Sequence, residues 1–268
     1  MDGWATGLPQ HDALARDVRA ERRARGWRWA GILVGVVAAY LTITTGTLGR
    51  GELLAAPIFG LCVLAGVLVG ELTPPSPGGA TRRAQLRVRR ARDYVRPLLG
   101  LTVAAATVAL VVLGSITTVV ASPDDMGRAG RRLLCAAGAA HGPWPGSFYT
   151  VPGLGLVLVG LLLSGLGLRL IVRRPQPAET AAIDDLRRRR SAEMVAAATG
   201  ILVLVPLLGV ALTSGAGLIS LAGGCGHGWW TGAGWSLIGL AGVAAMSAAW
   251  CVALLLGPAA RVRPGAAA

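Results

Sequence analysis

The side chains best suited to chemistry gather in two short stretches of this 268-residue chain: Cys135 with His141, and Cys225 with His227. Each pair is followed by tryptophan, Trp144 in the run GPWPGSFY (Gly142 to Tyr149) and Trp229 and Trp230 in GGCGHGWW (Gly223 to Trp230). Three chemistries are open to such a set. Cys135 and Cys225 could form a disulfide in an oxidising compartment and staple two parts of the chain. They could stand as unpaired thiols. With His141 and His227 they could instead hold zinc or copper, or do redox work, since thiolate and imidazole suit both metals. The spacing matches no closed zinc pattern. The disulfide is the reading adopted here, and no catalytic, cofactor-binding or metal-binding residue is assigned.

Little else in the sequence offers a reaction. It contains no phosphate loop, no G-x-S-x-G and no H-E-x-x-H. Asp124 and Asp125 are adjacent and read as solvated loop carboxylates. Cys62 and Cys251 fall in the middle of apolar runs, where a thiol behaves as a small apolar group. Glu52, Glu71 and Arg169 fall at the ends of such runs, within reach of an interface. None of them looks like the buried carboxylate or histidine of a proton-coupled pump, which argues against ion- or proton-coupled transport.

The elements that must position these residues are set by charge. From Met194 to Ala260 the chain has 67 residues without Asp, Glu, Lys or Arg. A soluble domain does not leave so long a stretch uncharged; a bilayer requires it, because charge is costly in hydrocarbon and crossing takes about 20 apolar residues. Hydrophobic residues make up 53% of the chain, mainly Ala, Leu and Val, and Gly is abundant. Six spans are predicted, at 29–46, 53–71, 98–120, 151–171, 195–214 and 235–256, with a kink at Pro206. The fold class is all-α, a polytopic membrane protein of six transmembrane helices arranged as three helical hairpins. A basic arm at 1–28 precedes the membrane domain at 29–258, and a tail at 259–268 follows it. No cleavable leader is evident, and the first span reads as a retained anchor.

All 26 basic residues are Arg. Twenty-two lie in the arm, in the segments after the second and fourth spans, and in the tail; only Arg50, Arg128, Arg131 and Arg132 lie opposite. Positive charge stays on the cytoplasmic side, so both termini are expected there, in a bacterial plasma membrane. The net charge of +13 therefore reflects topology and is no sign of a nucleic-acid partner. The expected partner is the lipid bilayer, with a membrane or cytoplasmic protein partner left open. Trp144, Tyr149, Trp229, Trp230 and Trp235 are expected near the headgroups as an aromatic belt.

Internal likeness supports the hairpins. Leu86 to Val95 (LRVRRARDYV) matches Leu186 to Val195 (LRRRRSAEMV) at five of ten positions. RRAR recurs at Arg22 and Arg89, and P-x-x-G-L at Pro57 and Pro152. Gly31/Gly35, Gly66/Gly70 and Ala241/Ala245/Ala249 have the spacing of close helix contacts, read as packing within the bundle rather than dimerisation.

GPWPGSFY, the P-x-x-G-L that follows and the later arginine-rich arm resemble a group of six-span integral membrane proteins of actinobacteria. The likeness is clearest from about Gly70 to Val195. It implies the same topology and brings no activity with it. The function expected is non-enzymatic, a structural or accessory component of a membrane assembly. The alternatives are a permease-type subunit served by a separate ATPase, or an extracytoplasmic metal- or redox-handling protein.

Overall fold

A computed structural model describes residues 8–73, 94–135, 138–173, 181–225 and 228–257, with side chains omitted at 8–17 and 181–184. Among the described residues there are six helices: α1 (Leu8–Thr45), α2 (Arg50–Leu72), α3 (Pro97–Val119), α4 (Ser147–Val172), α5 (Ala181–Cys225) and α6 (Trp229–Leu256). All six are long and apolar enough to span a bilayer. The chain is a multi-pass integral membrane protein, nearly all-α. One ribbon adds the only strands among the described residues, β1 (Leu133–Leu134) antiparallel to β2 (Ala140–His141).

The helices overrun the predicted spans, and the reasons are local. α1 and α5 run unbroken from their arginine-rich segments into the apolar stretch. Arginine and alanine are good helix formers, so nothing stops the helix at the charge boundary. α3 instead begins only at Pro97, after a turn at Tyr94–Val95. Arg96 precedes Pro97, and the proline ring pushes it to extended backbone, φ −56° and ψ 129°. The arm at 74–93, including Arg89 of the proposed repeat, lies outside the described residues.

α1 and α2 form one close antiparallel pair, and α5 and α6 another. Glycine makes the first possible. A Cβ on Gly31 would come within 2.8 Å of the Cys62 carbonyl oxygen, and one on Gly66 within 2.6 Å of the Trp27 carbonyl oxygen. These glycines serve packing inside the bundle, as small residues do where lipid gives no hydrophobic drive. The middle hairpin is different. α3 and α4 meet near the ribbon end, where Thr118 and Thr150 share a hydrogen bond of 2.7 Å, and elsewhere pack on α5 and α2.

α5 is the centre of the bundle, packed on α2, α3, α4 and α6. Val195, Ala197, Ala198, Leu202 and Val203 are fully buried. Leu202 fills the space between Gly60 of α2 and Gly160 of α4; a Cβ on either glycine would overlap it. Gly155, the P-x-x-G glycine of α4, meets nothing, so the two P-x-x-G-L copies do different work. Large apolar residues such as Leu33, Val37, Leu162 and Met246 are exposed, forming the surface that lipid covers.

Candidate functional site on the disulfide face

Between α3 and α4 the chain builds a cap over one end of the bundle. Cys135, beside the ribbon, is bonded to Cys225, the last residue of α5, with Cα atoms 5.9 Å apart. That separation sits within the ordinary range for a disulfide. Around the bond Leu133, Trp144 and Leu221 form a small buried cluster. Trp144 is 2% exposed, and its indole N–H donates to the Thr117 carbonyl at 2.9 Å. The chain enters this position through a cis Gly142–Pro143 bond. Tyr149 is equally buried, and its hydroxyl donates to the Leu48 carbonyl at 2.8 Å, tying α4 to the α1–α2 link. Leu48 is held at φ 62°, a region that β-carbon-bearing residues seldom adopt.

Trp144 and Tyr149 are therefore cap anchors, and the expectation that they belong to a headgroup belt is corrected. A buried indole or phenol is stable when its polar atom finds a partner, and both do. Trp229 and Trp235, by contrast, are largely exposed on α6, where an interface would receive them.

The carboxylates also differ from expectation. Asp124 closes a turn: its Oδ1 accepts from the backbone N–H groups of Met126 (3.0 Å) and Arg128 (2.9 Å), and its Oδ2 from Arg128 Nε (2.9 Å) and the Arg131 guanidinium. Desolvation pushes its carboxyl upward, but the Arg128, Arg131 and Met126 hydrogen bonds outweigh it and hold the carboxyl at about 2. Asp125 is the solvated one of the pair, 76% exposed beside Arg132.

The metal reading loses its ligands here. Cys135 and Cys225 are bonded to each other, so neither offers the thiolate that a metal needs. His141 Nδ1 shares a 3.0 Å hydrogen bond with Ser220 of α5. His227 lies outside the described residues. Among the described residues no three His, Cys, Asp or Glu side chains are placed to hold an ion together.

The opposite, arginine-rich face has a polar lock of its own. Arg28 of α1 donates to Glu71 of α2 at 2.8 Å, and Ser191 of α5 donates to the other Glu71 oxygen at 2.5 Å. Arg188, 3% exposed, donates to the Val172 carbonyl at 2.9 Å and so satisfies the end of α4. Arg96 pairs with Glu193 at 2.8 Å, joining α3 to α5. Glu71 was expected to reach an interface; it is instead turned inward and paired. The signal that could have found it is the acid at the end of one span and Arg28, the arginine directly before the neighbouring one.

Below the cap, α2, α3, α4 and α5 enclose a cavity of about 60 Å³. Pro57 and Pro206 line it, so the residue at which the sequence predicts a kink borders the cavity. No protein-family model matches the chain, and no curated protein and no solved structure matches it.

Proposed function

We propose that this chain is a rigid, non-enzymatic element of a bacterial plasma membrane assembly, with both termini cytoplasmic and the disulfide face outside. In this reading it is one of the six-span actinobacterial membrane proteins that it resembles. One observation carries the structural role: the central helix is fastened at both ends. At one end Cys225 is bonded to the cap. At the other, Ser191, Arg188 and Glu193 tie α5 to α2, α4 and α3. Alternating access needs helices to move against each other at both faces. A bundle pinned across both favours a fixed scaffold over a permease. The 22-to-4 distribution of arginine supports the orientation, and a structural disulfide fits an oxidising exterior.

Purification in mild detergent followed by identification of bound proteins tests this role. A stoichiometric non-ATPase membrane partner is the expected result, and a bound ATPase would move the chain to the permease reading. Orientation is tested with single cysteines at Ser76 and Ser122 in a chain lacking the four native ones. An impermeant maleimide on intact cells should label Ser122 and spare Ser76; the reverse inverts the topology.

A further inference from the structure

We propose that the cleft beneath the cap binds one small straight-chain alkylammonium ion, with the alkyl chain between α2, α3, α4 and α5 and the ammonium on Glu52. The cleft has an apolar wall and one charge. Leu53, Leu110, Leu154, Val157 and Val210 belong to the wall, and Glu52 is the only charged side chain among the described residues that line it. The other polar side chains there are engaged. Tyr149 gives its hydroxyl proton to the Leu48 carbonyl, and Thr150 donates to the Gly146 carbonyl at 2.9 Å and is bonded to Thr118 at 2.7 Å. Glu52 has no ion pair or side-chain hydrogen bond among the described residues. The arginines of this face are turned elsewhere. Arg131 is committed to Asp124, and Arg50 and Arg131 both stand over the ring of Phe148, which is not part of the lining. An anion would be repelled by Glu52, and a neutral apolar molecule would gain nothing from it. A cation with an apolar body uses both parts of the cleft, as ligands do where a placed polar group orients them in an apolar pocket.

Position along the helices orients the ion. Glu52 is exposed in the first turn of α2, beside the α1–α2 link that Tyr149 holds, so the acid stands at the rim. On α4 the lining runs inward from Tyr149 to Val157, about 12 Å at a rise of about 1.5 Å per residue. The volume is only about 60 Å³, well below the roughly 150 Å³ that admits a benzene ring. A space this small cannot take a ring or a branched body. It suits a straight chain of about four carbons, since each water-sized position needs roughly 10–15 Å³.

The test is equilibrium dialysis of the full chain in an uncharged detergent against radiolabelled n-butylammonium, with protein-free micelles as the blank. A single saturable site per chain is expected. n-Butanol, butyrate and tert-butylammonium lack the charge, its sign or the straight chain, and each should compete roughly tenfold less well than unlabelled n-butylammonium, or worse. Glu52→Gln should weaken binding roughly tenfold, the scale of one lost charge-assisted contact. Gly209 lines the cleft, and a Cβ there meets nothing within 4 Å, so Gly209→Leu should fill the site without a backbone clash and abolish binding. That both variants fold is read from their thiols, with only Cys62 and Cys251 free before reduction. Equal competition by n-butanol or butyrate would overturn the proposal. So would the absence of a saturable site, or binding indifferent to either substitution.

Discussion

Arg28 and Glu71 face each other across α1 and α2 at 2.8 Å, with about a tenth of each side chain exposed (10% and 12%). Ser191 of α5 holds the second carboxylate oxygen, so one acid joins three helices. Glu71→Ala would strand Arg28 in a site that excludes water. Removing one partner of a buried pair costs roughly 3–5 kcal/mol. Denaturation in detergent should show a loss of that size. The double change Arg28→Met with Glu71→Leu should recover most of it, since an apolar pair of similar volume leaves no buried charge. A double variant as weak as the single one would mean that the ion pair itself supplies the stability.

The disulfide predicts thiol counts and a local phenotype. Without reductant, alkylation should find only Cys62 and Cys251; with reductant, all four cysteines. The bond closes a loop of 90 residues, which in the chain-entropy view restricts the denatured chain by about 4–5 kcal/mol. Inserted spans already restrict that chain, so the measured loss in Cys135→Ser should be smaller. Amide exchange should rise around Trp144 and the ribbon before it rises in the middle of α5. Uniform loosening of the bundle would contradict a local brace.

Asp124 makes the cap acid-sensitive. Its carboxyl is held at about 2, below the ordinary 3.8, by donors from Arg128, Arg131 and Met126 that outweigh desolvation. A lowered folded-state value contributes stability that is present above about pH 4 and fades as pH falls through 2. Tryptophan emission should therefore hold steady from neutrality to about pH 4 and change below it. Asp124→Asn should remove that step and weaken the cap at neutral pH. An unchanged acid transition in Asp124→Asn would assign it to another group.

Glycine positions should separate by what their missing Cβ would meet. On Gly60 it would lie 2.5 Å from the Leu202 Cα, a backbone atom that has no room to move. On Gly153 or Gly165 it would meet nothing within 4 Å. Gly60→Ala should destabilise by roughly 1–3 kcal/mol, the usual cost of overpacking. Gly153→Ala and Gly165→Ala should be close to neutral or mildly stabilising, since alanine suits a helix better than glycine. Thermal melting in detergent distinguishes them.

Hydrocarbon tolerates so few kinds of sequence that the six spans could be read from charge alone. The 67 uncharged residues after Glu193 had to cross twice, and the arginines had to stay beside the spans. Cys135 and Cys225 were also legible as a pair, since each stands beside a histidine and tryptophan just ahead of a returning span. Partnership between distant residues was not legible, because it depends on which helices become neighbours. Asp124 and Asp125 each meet an arginine seven residues on, and only the fold buries the first acid and leaves the second in solvent. Glu71 looked like an interfacial acid until Arg28 and Ser191 met it across two helix contacts. Trp144 and Tyr149 carried a headgroup composition, yet the carbonyls of Thr117 and Leu48 drew them inward. Apolar length and charge, both local properties, settle how often the chain crosses and where its charge can lie. The order in which helices pack, with α5 at the centre and the middle hairpin opened, came from fitting side chains such as Leu202 into glycine gaps, a matter of shape that no single segment contains.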